Sequence, residues 1–185
     1  MINLKSIIFL YLRLSPFIVA AFFSLQSLFF LQLSGIVYLA GLIITSFFSI
    51  IISNSFFDKY DNSNSVSICN TLSPGQRISS LPLGLITLVF SLSYFSFFIL
   101  FYQTIFRYFS TIFILSCLIY YELYFVINNK CNTFQQISFS FIFSFLLGFG
   151  WAFIINLSNN HTLFLFSNYS NRESCSIDTN YFICD

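Results

Sequence analysis

The chain has 185 residues, of which 57% are hydrophobic and only 7% are charged, whereas a soluble domain carries about 25% charged residues. So few charges cannot cover a protein surface in water, and the mean hydropathy of +0.85 indicates that the chain lies in lipid. The formal net charge is +1 and the seven cations are scattered along the sequence, which argues against the basic surface that nucleic-acid binding requires.

Five apolar stretches are each close to the ~20 residues that a helix needs to cross hydrocarbon. They predict an all-α fold, a polytopic membrane bundle of about five transmembrane helices. The predicted spans are Ser15–Leu33, Gly35–Ser53, Pro82–Tyr102, Tyr108–Ile127 and Ile137–Ile155. We expect residues 1–157 to form the bundle and residues 158–185 to form a polar tail. Pro16 falls near the predicted start of the first span, where a missing N–H costs little.

Two polar intervals, residues 54–81 and 128–136, interrupt the apolar chain, and a count of crossings places them on one face. That face also holds most of the cations: Lys5, Arg13, Lys59, Arg77 and Lys130. Only Arg107 and Arg172 fall on the other face, so the positive-inside rule predicts cytoplasmic loops and a lumenal or external tail. The N-x-[ST] patterns that begin at Asn156, Asn160 and Asn168 are compatible with that tail location.

The cysteines are widely spaced, at Cys69, Cys117, Cys131, Cys175 and Cys184. None forms a CxxC pair or a zinc-like spacing with histidine, so the sequence predicts no metal site and implies no cofactor. Two interpretations stay open for Cys175 and Cys184 in the tail. They form a disulfide if the tail lies in an oxidising compartment, or they remain free thiols.

The two polar intervals come directly before predicted spans three and five, next to helix N-termini. Backbone N–H groups at such termini bind anions such as phosphate, and nearby cations would strengthen the binding. The anion-binding candidates are Lys59, Gly75, Arg77 and Lys130. A membrane lipid with a phosphate headgroup is the corresponding partner. The alternative is that these cations only mark the cytoplasmic side.

The order of these parts resembles the type-2 phosphatidic acid phosphatase superfamily, whose membrane branch includes dolichyl-diphosphatase-like enzymes. Residues 72–76, Leu-Ser-Pro-Gly-Gln, stand where that family has a PSGH motif that opens a transmembrane helix. Residues 132–137, Asn-Thr-Phe-Gln-Gln-Ile, are similar to its HTxxQV motif. The small residues Ser140, Ser144 and Gly148, followed by Gly150-Trp151, match the ladder and GW pair that often come next. The resemblance covers residues 54–151.

The resemblance implies a lipid phosphate or diphosphate phosphohydrolase that has lost turnover. In the family one histidine attacks phosphorus and the other helps to protonate the leaving group or to position the nucleophile. Here both positions are amides, Gln76 and Asn132, with Gln136 as the third family-equivalent position. The one histidine, His161, is expected to be a solvated tail residue. If the fold is shared, the side chains of Gln76 and Asn132 should lie within about 10 Å of each other, flanking a polar hollow, whereas packing alone would leave that distance unconstrained. The family's site also faces away from the cytoplasm, opposite to the charge-based orientation.

A different class of function is a structural or assembly subunit of a larger membrane complex or virion membrane, with other membrane subunits as partners. A channel or transporter is disfavoured, because the spans lack a polar stripe apart from serine and Glu122. Glu122 lies near the end of predicted span four, so the simplest expectation is that its carboxylate reaches toward water. The alternatives are that it pairs with Lys130 or Arg77, or that it marks a proton or ion path. Ser140, Ser144 and Gly148 recur every four residues and predict a smooth helix-packing face.

Overall fold

The computed structural model describes residues 4–29, 34–56, 81–101, 105–158, 176–178 and 181–183. In these ranges the chain forms the helices α1 (Leu4–Phe29), α2 (Ser34–Phe56), α3 (Leu83–Phe101), α4 (Ile105–Asn128) and α5 (Phe134–Leu157), and the strands β1 (Ser176–Asp178) and β2 (Tyr181–Ile183). The all-α prediction for the bundle is confirmed. The two short strands pair antiparallel, with Ser176 opposite Ile183, and the sequence analysis did not predict them.

Four helical segments in the described ranges are long and apolar enough to cross a membrane. They are Ser34–Ser53, Leu83–Phe101, Tyr108–Asn128 and Phe134–Leu157. In α1 the apolar segment, Leu14–Leu25, is shorter. Large side chains such as Phe47, Phe113 and Ile142 point outward, which suits contact with lipid tails. The architecture is consistent with a multi-pass integral membrane protein.

The first helix begins well before the predicted start at Ser15. Helix α1 runs from Leu4, so Pro16 lies inside it rather than in its first turn, and that prediction was wrong. Residues 4–14 are mostly apolar and continue the helix despite two charges. A proline inside a membrane helix is tolerated where neighbouring helices support the backbone. Pro16 is buried, with its Cγ 3.3 Å from the position that a Cβ on Gly84 of α3 would take.

Helix α3 is the centre of the bundle. In α3, 67% of the membrane-spanning segment is buried inside the bundle, whereas the share is 28% for each of the spans in α2, α4 and α5. It packs most extensively against α5, then α4, and it also contacts α2 and α1. No charged side chain occurs between Leu83 and Phe101, so α3 can be enclosed on all sides. Its aromatic side chains join the layers, since the Phe95 ring lies 4.2 Å from Phe23 of α1 and 5.7 Å from Tyr38 of α2, centroid to centroid.

Small and weakly polar residues form the inner faces of the helices around α3. On α5 they are Ser140, Ser144 and Gly148, all buried. On α2 the same spacing gives Gly41, Thr45, Ser49 and Ser53, also buried. Several hydroxyls donate to a carbonyl one turn back, as Ser140 does to Gln136 O at 2.7 Å and Ser49 to Thr45 O at 2.8 Å. Such hydroxyls need no partner on another helix, so these faces can pack closely.

Helix α5 approaches its neighbours closely at two points. A Cβ on Gly148 would meet the Ser93 hydroxyl and lie 2.8 Å from the Phe90 carbonyl oxygen of α3. On the other side, the Trp151 indole lies over Gly41 of α2, where a Cβ would be 2.5 Å from the ring. The indole N–H donates to Val37 O at 3.1 Å. Glycine is therefore required at both points by the distance between the helices.

We predict that Gly148→Ala lowers the thermal unfolding midpoint of the protein in detergent, whereas Gly150→Ala raises it. Alanine favours a helix over glycine by about 1 kcal/mol at either position. At Gly148 the added methyl would overlap the fixed Phe90 carbonyl, and overpacking costs about 1–3 kcal/mol. At Gly150 a Cβ would meet nothing within 4 Å. Shifts of the same sign in both variants would contradict close contact at Gly148.

Candidate functional site

The residues that resemble the HTxxQV motif form the start of α5. Thr133 is the N-cap residue, with an extended backbone conformation. Its hydroxyl accepts the Gln136 N–H at 3.4 Å, and its own N–H donates to Gln136 Oε1 at 3.0 Å. This is a capping box, in which two side chains reciprocally satisfy backbone donors at the helix start. The spacing of Thr133 and Gln136 therefore has a structural role at the helix start.

The two amide positions at this helix start are also bonded to each other. Asn132 Nδ2 donates to Gln136 Oε1 at 3.4 Å, so that one oxygen accepts two hydrogen bonds. Gln136 is buried and Asn132 is half-buried. Neither side chain is a nucleophile or a proton donor of the strength that phosphoryl transfer needs. The Thr133 and Gln136 N–H groups already donate within the cap, so an anion would have to displace those bonds.

Helix α4 ends in a Schellman motif just before this cap. The Cys131 N–H donates to Val126 O at 3.0 Å, and the Lys130 N–H donates to Ile127 O at 3.1 Å. Lys130 takes the left-handed conformation that the motif needs, with φ of 50°. Cys131 and Val126 pack in one buried cluster, the apolar contact that accompanies such a motif. Lys130 is exposed at this end of the bundle, and its role as an anion-binding residue stays a prediction.

The other positions of the predicted anion site lie outside the described residues. These are Lys59, Gly75, Gln76 and Arg77, and His161 of the tail is also outside them. The separation of Gln76 and Asn132 therefore stays a prediction. The helices that follow the two polar intervals, α3 and α5, do pack against each other. Cys175 and Cys184, and the sequons at Asn160 and Asn168, also fall outside the described ranges, whereas Asn156 lies near the end of α5.

Glu122 is buried inside the bundle, with only 3% of its surface exposed, so the expectation that its carboxylate reaches water was wrong. The side chain shares the inner face of α4 with Ile119 and Val126, which are also buried. Its Oε1 lies 2.7 Å from the position of a Cβ on Gly84, so the carboxylate rests against the α3 backbone. The Glu122 side chain points into the bundle because it lies on the inner face of α4, although it is near the end of the span. Gly84 provides the space, and the sequence analysis did not identify it.

A second set of polar groups that the sequence analysis missed lies in the core around Ser91. The hydroxyls of Tyr38 and Ser91 are 2.6 Å apart, and Ser91 also donates to Thr87 O at 2.7 Å. Tyr94 is fully buried beside Tyr38, with ring centroids 5.5 Å apart. Its hydroxyl finds no hydrogen-bond partner within the described part of the chain. Tyrosine and serine occur throughout the sequence, so composition could not single out these three.

The described residues offer no grouping of at least three His, Cys, Asp or Glu side chains that could hold a metal ion. One hollow at the described surface is open and has a volume of about 310 Å³. It lies at the end of α4 and is lined by Tyr120, Leu123, Tyr124, Ile127 and Asn128. Its lining carries no charge, so it suits an apolar or amphipathic neighbour better than a phosphate.

Comparison of the chain with family models, with curated proteins and with solved structures finds no match. The resemblance to the type-2 phosphatidic acid phosphatases therefore stands on the sequence motifs alone.

We predict that Thr133→Ala destabilises the protein by about 0.5–2 kcal/mol, the usual effect of losing a helix N-cap. Asn132→Ala is the matched control, because it removes a neighbouring side-chain bond to the same Gln136 and leaves both bonds of the capping box intact. Chemical or thermal unfolding in detergent measures both. Equal losses in the two variants would contradict the assignment of this segment as a cap.

We predict that Lys130→Gly stabilises the protein by about 1 kcal/mol, because a left-handed residue with a Cβ is strained by roughly 1–2 kcal/mol and glycine is not. Lys130→Ala keeps the Cβ and removes the same charge, so it serves as the control. If the alanine variant is stabilised as much as the glycine variant, the lysine charge and not the backbone conformation is responsible.

Proposed function

We propose that this protein is a non-catalytic membrane component, a structural or assembly subunit of a larger membrane complex or virion membrane. The observation that carries the proposal is the start of α5, where the motif residues are bonded to one another. Thr133 and Gln136 complete the cap, and Asn132 donates to the same Gln136 oxygen. Side chains held in this way support the helix start and leave no nucleophile or acid at that motif.

The outer surface of α4 supports a role in packing against other membrane partners. Exposed aromatic side chains follow one side of the helix at Phe109, Phe113, Tyr120 and Tyr124. Cys117 lies between them and is also exposed. Helices associate in lipid through van der Waals packing, and rigid aromatic rings offer a large contact area at little entropic cost. Lipids and other membrane subunits are the partners that this surface fits.

A second candidate is a phosphatase-like protein without turnover that retains a pocket for a lipid phosphate. The packing of α3 against α5 favours it, since these helices follow the two motif-bearing intervals. Cys131, next to Asn132, belongs to the same buried cluster as Leu85, near the start of α3. The beginning of α3 and the beginning of α5 therefore lie at the same end of the bundle. Lys130 would contribute positive charge there.

Orientation bears differently on the two candidates. The positive-inside count expects residues 54–81 and 128–136 on the cytoplasmic side and the tail on the lumenal or external side. A subunit that acts by packing works in either orientation. A phosphatase-like relative fits better with the reverse orientation, because that family's site faces away from the cytoplasm.

We predict that the purified protein releases no phosphate from phosphatidic acid or a polyprenyl diphosphate above a no-protein control. We also expect a photo-crosslinking residue at Tyr120 to form protein adducts of defined mass in its native membrane, and one at Leu146 to label mainly lipid. Tyr120 and Leu146 are comparably exposed, at 72% and 63%. Leu146 lies on α5, however, and not among the exposed aromatic side chains of α4.

Steady phosphate release that is lost in Asn132→Ala and kept in Asn128→Ala would overturn both candidates in favour of an enzyme. Labelling of lipid alone at both positions would overturn the subunit proposal.

A further inference from the structure

Cys131 is the starting point for an inference about the two polar intervals. It lies in the turn between α4 and α5, only 8% exposed, and it is disulfide-bonded. Cys117 is a free thiol, so the partner is Cys69, Cys175 or Cys184. We propose that Cys131 is bonded to Cys69. This bond would tie the two polar intervals together and would require that end of the bundle to face an oxidising compartment.

The position of Cys131 in the bundle favours Cys69. Cys131 packs in a cluster with Leu85 and Val89 of α3, so it lies at the end where α3 begins. The interval that contains Cys69 joins α3 at that end. Only about a dozen residues separate Cys69 from Leu81, and they can extend over up to roughly 40 Å. The chain therefore reaches Cys131 easily without leaving that side of the membrane.

The tail cysteines lie beyond α5, which separates them from Cys131. Helix α5 has 24 residues, which corresponds to about 36 Å of helix and exceeds the ~30 Å of hydrocarbon in a bilayer. The tail leaves the bundle at the far end of this helix. A bond from Cys131 to Cys175 or Cys184 would have to draw the polar tail back across the hydrocarbon.

The tail cysteines also have a nearer candidate partner in each other. Strands β1 and β2 pair with Ser176 opposite Ile183. In the sequence, Cys175 directly precedes β1 and Cys184 directly follows β2. Each of these two cysteines is therefore the other's nearest candidate partner along the chain. Because α5 separates this pair from Cys131, only one of the two pairs lies on the non-cytoplasmic side.

The bond forms by thiol–disulfide exchange with a dithiol–disulfide oxidoreductase. The thiolate of one cysteine attacks the disulfide of that oxidant and forms a mixed disulfide, and the second thiolate displaces the oxidant, which leaves as a dithiol. The two cysteines lose two electrons and two protons in total. Such bonds persist in a secretory lumen, a periplasm or an external space and are rare in cytosol. The loops then face that space, the reverse of the charge-based expectation.

The test is non-reducing peptide mapping of the full-length protein from its native membrane, with free thiols alkylated before lysis. We expect a linked peptide pair that contains Cys69 and Cys131, with Cys117, Cys175 and Cys184 alkylated. Alkylation of Cys131 without prior reduction overturns the proposal. Linkage of Cys131 to a tail cysteine overturns it equally, and so does a bond between Cys175 and Cys184.

Single substitutions give a second measurement on the same protein. Cys69→Ser should make Cys131 alkylatable, and Cys131→Ser should do the same for Cys69, whereas Cys117→Ser should expose no new thiol. Reductant should lower the thermal unfolding midpoint of the wild type and leave that of Cys69→Ser unchanged. An equal shift in both proteins would contradict the bond. The mapping of the wild type decides the matter if a variant fails to accumulate.

Discussion

The enclosure of α3 by the other helices is the constraint on which the rest of the bundle depends. Lipid tails are as apolar as leucine, so burial of apolar surface does little to hold one span against another, and close packing has to do so. Packing at the distance seen between α3 and α5 requires a residue without a Cβ at Gly148, directly over the Phe90 carbonyl. The serines nearby can be buried because several of them bond within their own helix.

The fold class was predictable because long apolar runs have few alternatives in a protein with so little charge. The identity of the central helix was not. In water an apolar stripe marks the inner face of a helix, but in lipid both faces are apolar, and α2 and α3 are equally free of charged residues. The small-residue spacing that was noticed on α5 also occurs on α2, from Gly41 to Ser53, where the same argument identifies a buried face. The beginning of α1 was missed because two charges do not end a helix.

The candidate site shows why a short motif is weak evidence for chemistry. Thr133 and Gln136 have the spacing of a phosphatase motif and equally that of a capping box, and the sequence alone gives no reason to choose. The hydrogen bonds at the start of α5 establish the structural role. Glu122 was misjudged for a related reason, since its depth in the span was considered and its helical face was not. An acid on the same face as Ile119 and Val126 turns inward wherever a neighbour such as Gly84 leaves room.

The proposed bond between Cys131 and Cys69 and the positive-inside count point to opposite orientations, and they differ in kind. The positive-inside count is a statistical bias over seven cations, and moving one or two of them changes its strength without changing any structure. A disulfide at Cys131 is a chemical state that a reducing compartment removes, so a confirmed bond outweighs the count. An outward-facing loop pair would also match the orientation of the phosphatase family. Positions 76 and 132 would still carry amides where that family has histidines. Orientation therefore bears on the proposed resemblance to that family, whereas the α5 cap and the amides at positions 76 and 132 bear on the proposed loss of turnover.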